Sequence, residues 1–316
     1  MQKAEQILQA VQKMGEKRIP LTRVYRSLFS EDLFLAAYDK IARNRGALTS
    51  GSDSETVDGM SRERIQRIIV QLRCEQFNFR PARRIQIPKK SGGTRPLGIP
   101  NFTDKLVQEV LRMVLEAYYE PRFRDSSHGF RPGRGCHTAL ANLQYKFKGA
   151  AWFIEGDIRG CFDNIDHEVL MAILARDIQD GRLLNLLRMG LKAGYLENWQ
   201  YNRTYSGTPL GGILSPLLAN IYLHELDAYI EDVLIPQYTR GKKRADNLEY
   251  GNLAYAIKCA RNAGDQKRVQ ELELQRRKLP SQDVHDPNFR RLKYIRYADD
   301  FILSFIGTKS EAEEIK

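Results

Sequence analysis

The sequence predicts an α+β fold in which an antiparallel sheet packs on helices, and three observations carry that expectation. Residues 83–100 and 293–305 each read as two short apolar strands around a tight connection, the pattern of a hairpin. Amphipathic helical stretches separate them without the regular strand–helix–strand alternation of a doubly wound parallel sheet. No segment repeats at a fixed period.

The elements follow in order. Residues 1–43 carry helical periodicity and end in LFLAAYDKIARN, whereas 45–61, rich in Gly, Ser, Thr and Asp, reads as a loop. Ser61 is a candidate N-cap for the amphipathic helix RERIQRIIVQLRCEQF. RRIQIPKKSGGTRPLGIP alternates in strand fashion on both sides of a turn at Lys90-Ser91-Gly92-Gly93. DKLVQEVLRMVLEA is helical, with Asp104 read as its cap. Residues 151–158 form a strand that turns Trp152, Ile154 and Ile158 to one face and Phe153, Glu155 and Asp157 to the other. A helix starts near Asp166, and another after the Gly-rich turn in GTPLGG, with Ser215 as N-cap and Pro216 at the first helical position. Residues 240–293 hold 14 basic and 7 acidic side chains and read as a charged helical insertion.

With 316 residues, 42% of them hydrophobic and 28% charged, the chain has a globular balance. No run approaches the roughly 18 apolar residues of a membrane span, so no membrane partner is expected. The N-terminus is charged and amphipathic, unlike a secretory signal. Cys74, Cys136, Cys161 and Cys259 show no zinc-binding spacing, which suits reduced thiols and a cytoplasmic location. The net charge of +11 points to a polyanion. It is concentrated in an acid-free run from Asn78 to Arg95 that carries Arg80, Arg83, Arg84, Lys89, Lys90 and Arg95 next to Phe77 and Phe79.

In RLKYIRYADDFILSF, Asp299 and Asp300 sit side by side between two strands that favour burial. The Asn-Gly or Asp-Gly of a purely structural hairpin is missing. Paired carboxylates at a rigid tip suit divalent cations, whose charge makes their closeness tolerable. Two-metal phosphoryl transfer needs a carboxylate from a second segment, and Asp157, at a strand end before a turn, is the candidate. Asp163 and Asp166 read as helix capping, and His128 and His137 as packing or surface residues.

The order of FIEGDIRGCFDNIDH, SGTPLGGILSPLLANIYLHELD and YIRYADDFILS resembles the palm of a reverse transcriptase, more narrowly that of the group II intron-encoded enzymes, or maturases. IPKKSGGTRPLGIPNFTDKLVQE and SSHGFRPGRGCHTAL are similar to the family's fingers motifs, and NRGALTSGSDSETVDGMS to its N-terminal extension. The resemblance covers nearly the whole chain. It implies an N-terminal extension at 1–60, fingers at 61–150 and an incomplete palm at 151–316 interrupted by the insertion at about 240–290, with the thumb absent.

The resemblance further implies that Asp157, Asp299 and Asp300, with the Ile158 carbonyl, hold two Mg²⁺ ions. It places Lys89 and Arg95 on the incoming triphosphate, Phe162 as the aromatic gate at the nucleotide 2′-position, and Pro209 and Gly211 in the turn that meets the nucleotide. Leu210 stands where the family usually has Gln, which removes a hydrogen-bonding side chain there. Arg80, Arg83, Arg84 and Lys90 are the candidate RNA contacts.

The function so implied is RNA-directed DNA synthesis from deoxynucleoside triphosphates, on an RNA template with a DNA primer, together with binding of group II intron RNA in splicing and mobility. A homodimer is compatible with the resemblance. The alternative is an RNA-binding splicing cofactor with little polymerase activity, against which three intact carboxylates argue. A nucleotide cyclase is disfavoured by the fingers motifs and the charge.

Overall fold

The computed structural model describes residues 2–44, 46–88, 92–198, 200–204, 206–207, 212–284 and 286–316. The expected Lys89, Lys90, Pro209 and Gly211 roles, and the Leu210 departure, fall outside the described residues. The fold is mixed α and β, with sheets packed on helices. The chain divides into two compact units, each assembled from separate stretches of sequence.

The first unit comprises residues 1–136, 158–226 and 297–299. Its core gathers the apolar faces of helices Gln2–Glu16, Glu31–Ala42, Arg62–Arg73, Phe102–Tyr119, His167–Asp177 and Gly181–Leu191. Helix Phe102–Tyr119 is the central member, with Leu106, Val110, Leu111, Val114, Leu115 and Tyr118 all at 1% exposure or less. Ser61 caps its helix as its residue type predicts, accepting the Arg64 N–H. Asp166 likewise accepts the N–H groups of Glu168 and Val169.

Asp104 departs from expectation. The helix begins at Phe102 with Asn101 in the cap position, so Asp104 lies inside the first turn. There it is buried and accepts the backbone N–H of Arg80 at 3.0 Å. An Asp satisfies the first-turn pattern at either position, and the tie to Arg80 is what draws this one inward. Burial pushes its carboxyl up to about 7, against the opposing pull of the Arg80 N–H and charge.

A four-stranded sheet also belongs to this unit. Strands Ala82–Pro88 and Thr94–Ile99 form the expected hairpin, with Arg83 opposite Ile99 and Ile87 opposite Arg95. Ala82–Pro88 also pairs in parallel with Tyr195–Glu197, which pairs antiparallel with Gln200–Asn202.

The second unit comprises residues 137–157, 227–296 and 300–316. Its strands lie in the order Arg291–Tyr297, Asp300–Ile306, Trp152–Asp157. Leu303 and Phe305 on the middle strand and Leu292, Tyr294 and Ile295 on its neighbour are buried. The charged insertion folds as a helical hairpin, Leu248–Asn262 and Gln266–Arg277, around a small core of Ile257, Val269 and Leu272. Among the described residues no helix is long and apolar enough to cross a membrane.

Candidate active site

From Phe153 onward strand Trp152–Asp157 alternates as its pattern predicts, with Phe153, Glu155 and Asp157 exposed and Ile154 and Gly156 half-buried, whereas Trp152, expected on the face of Ile154, is exposed at the strand's start. It pairs antiparallel with Asp300–Ile306 over six rungs, and the last rung sets Asp157 opposite Asp300. Residues so opposed have Cα atoms about 4.5–5.5 Å apart, and like charges there repel. Both carboxylates are exposed, so water or an ion reaches them. Gly156 lets the Phe301 ring lie across it, for a Cβ at Gly156 would fall 2.1 Å from that ring.

Beyond each strand end the chain is tied again, within the first unit. The Ile158 N–H donates to the Asp299 carbonyl at 3.3 Å. Ala298 is buried with φ +56°, a left-handed conformation unusual for a residue with a Cβ. Its N–H donates to the His128 carbonyl at 2.9 Å, and Asn220 donates to the carbonyl of the next residue, Gly129. Gly129 itself has φ +86°, and a Cβ there would lie 2.9 Å from the Ala298 nitrogen. The turn that carries Asp299 is therefore held by backbone bonds and close contact.

Among the described residues no three His, Cys, Asp or Glu side chains are gathered to cage an ion. The donor set still fits a hard divalent cation. Mg²⁺ is commonly held by one or two carboxylates, with waters and substrate phosphates completing its shell. An exposed, in-register pair of aspartates with a third next along the chain is such an open platform.

Arg95 is exposed on its hairpin. Phe162 is half-buried on the short helix Cys161–Asn164 and meets Phe130 edge-on, ring centroids 6.1 Å apart. The basic strip is less free than its sequence suggests. Arg80 pairs with Asp53 at 2.8 Å, Arg83 donates to the Ser50 carbonyl at 2.9 Å, and Arg84 lies 4.3 Å over the Tyr195 ring and 3.9 Å from Glu197. Of the two histidines, His128 is buried.

One polar group escaped the sequence reading. Arg296, two residues before Ala298, is fully buried and binds Asp227 through Nε at 2.8 Å and Nη2 at 2.7 Å. The Tyr294 hydroxyl donates to the same carboxylate at 2.7 Å. A signal was available in strand parity, since Leu292, Tyr294 and Arg296 share one face and the first two belong inside.

Comparisons with known proteins give the family. The profile of the reverse transcriptase (RNA-dependent DNA polymerase) family matches residues 87–247. The group II intron-encoded protein LtrA of Lactococcus lactis is 46% identical over 98% of this chain and 53% of its own length. An uncharacterized 91 kDa protein in a cob intron of Schizosaccharomyces pombe is 46% identical over 91% of this chain and 36% of its own. Protein YkfC of Escherichia coli is 33% identical over 94% of this chain and 74% of its own. The chain thus spans about half the length of the Lactococcus relative. It belongs to the reverse transcriptase family, among the relatives of the group II intron-encoded reverse transcriptases and maturases.

Proposed function

We propose that this chain carries the catalytic carboxylates of an RNA-directed DNA polymerase, one that extends a DNA primer with deoxynucleoside triphosphates on group II intron RNA. The protein would also bind that RNA to assist splicing and mobility. The observation that carries the reading is the in-register opposition of Asp157 and Asp300, with Asp299 adjoining. Like charges set on opposed positions repel, and a divalent cation would offset that repulsion. Asp157, Asp299 and Asp300, with the Ile158 carbonyl, would hold two Mg²⁺ ions. When bound, such ions ease deprotonation of the primer 3′-hydroxyl and stabilise the leaving oxygen of pyrophosphate.

The chain's own groups would do the rest. Arg95 and Lys89 would receive the triphosphate, for which a guanidinium offers paired donors. Phe162 would crowd the 2′-position, and Pro209 and Gly211 would border the nucleotide. Arg80, Arg83, Arg84 and Lys90 would meet RNA phosphates, positioning rather than reading the sequence. In this reading residues 1–60 are an N-terminal extension, 61–150 fingers and 151–316 palm.

The test is primer extension on an RNA template by the protein and by Asp299→Asn, with RNA binding measured in parallel. The expected result is loss of extension with RNA affinity held or slightly raised, since one negative charge is gone. Normal extension by the variant overturns the carboxylate assignment. RNA binding without extension by the unaltered protein favours a splicing cofactor.

A further inference from the structure

We propose that the buried Asp227–Arg296 pair is a positioning device that sets how tightly the neighbouring aspartates hold a divalent cation. This rests on the reading of Asp157, Asp299 and Asp300 as metal ligands.

The pair is out of place as a stabiliser. Both side chains are at 0% exposure. Removing two charges from water offsets most of their attraction, and well-packed apolar residues in such a place are often as stabilising or more so. What apolar packing lacks is direction. The planar fork of Arg296 meets both oxygens of Asp227, and Tyr294 adds a third bond to the same group. Together they tie strand Arg291–Tyr297 to the Asp227 carboxylate at three points, which restrains it against sliding and twisting there.

The position of the clamp gives that restraint a use. Strand Arg291–Tyr297 ends one residue after Arg296, and the chain then passes through Ala298 into Asp299 and Asp300. Ala298 holds a left-handed backbone, which persists only where its surroundings determine it. The bond from Ala298 to His128 holds the turn on one side, and the bonds of Arg296 hold the strand that leads into it on the other. Asp300 must also stay in register with Asp157, and a small rotation of the preceding strand would part their oxygens. The bonds of Arg296 lie where such a rotation would begin.

Replacing the pair by apolar residues of similar volume separates positioning from packing. In the double variant Asp227→Leu/Arg296→Met the fold is expected to persist, judged by circular dichroism and a cooperative melt. In metal-free buffer the amides of Tyr297 to Asp300 should exchange with solvent about tenfold faster, and Mn²⁺ affinity by electron paramagnetic resonance should fall about tenfold, the order of one charge-assisted hydrogen bond. A folded double variant with unchanged exchange and unchanged Mn²⁺ affinity overturns the proposal.

If the double variant does not fold, Tyr294→Phe takes its place, with weakening of about threefold expected from loss of one bond and no change overturning the idea. Unaltered protein that binds no Mn²⁺ also overturns it. Protein that binds Mn²⁺, loses affinity in the variant, yet extends no primer would support the positioning role and reject the polymerase reading, so the two failures are distinct.

Discussion

Asp157 and Asp300 stand directly opposite each other on the last rung of an antiparallel strand pair, and both are open to solvent. Like charges so opposed repel, and on the proposed role a cation would offset that repulsion. Asp300→Asn should therefore stabilise the protein in chelator by about 0.5 kcal/mol, within the range measured for cross-strand pairs. Added Mg²⁺ should raise the melting midpoint of the unaltered protein more than that of the variant, because binding to the folded state alone stabilises it. Thermal melts with and without metal give both numbers, and a variant that melts lower in chelator contradicts the account.

Gly156 should resist any side chain. An Ala Cβ would fall 2.1 Å from the Phe301 ring, so ring or strand must move. Overpacking of this kind costs about 1–3 kcal/mol, and the displaced rung adjoins Asp157. Gly156→Ala should lower denaturant stability and primer extension together. Adding Phe301→Leu should restore part of both, and absence of rescue would show that the contact is not the cause.

Asp104 should give the protein a pH-dependent weakness. Its carboxyl is raised to about 7 in the fold, against 3.8 when solvated. Its stabilising contribution is thus complete below the solvated value and is lost as pH rises toward the folded one. The loss should be on the order of 4 kcal/mol, given about 1.4 kcal/mol for each unit of displacement. Asp104→Asn keeps an acceptor for the Arg80 N–H and should flatten the stability curve between about pH 4 and 7. Urea titrations across that range test it, and an equally steep variant would assign the slope to other groups.

Phe162 should control the sugar. Replacement by Ala opens space beside Phe130 and, on the proposed role, should raise ribonucleotide incorporation relative to deoxyribonucleotide. A loss of one aromatic contact in a discriminating pocket is worth about 1–3 kcal/mol, or 10–200-fold. Single-nucleotide extension with each sugar measures the ratio. An unchanged ratio with lowered stability would make Phe162 a packing residue only.

Both hairpins, the Asp157 strand and the helix starting at Asp166 were legible because each is a local pattern of period 2 or 3.6 with its own caps. The paired aspartates were legible because they break such a pattern. What stayed hidden depends on partners far along the chain. Asp104 reads as a cap until Arg80 is seen to donate to it. Arg80, Arg83 and Arg84 read as a bare basic strip until Asp53, Ser50 and Glu197 are seen to meet them. Arg296 takes its meaning from Asp227, 69 residues earlier, which no local reading links to it. Strand parity puts Arg296 on the buried face with Leu292 and Tyr294, but no local pattern in either segment names the partner it meets.

The strand that carries Asp157 and the one that carries Asp300 are paired across a long interval of chain. On the ribosome Asp157 emerges well before its counterpart exists. At about 5–20 residues per second, synthesis of the intervening stretch takes on the order of ten seconds. Throughout that time strand Trp152–Asp157 has no Asp300–Ile306 to pair with. A nascent chain therefore cannot bring these two carboxylates together, or engage a cation through both, until translation has passed the second hairpin. Any truncated product ending earlier lacks the pair altogether. Distant pairing of this kind slows folding through the entropy of closing the loop, and here it makes completion of the site wait on translation of the second hairpin.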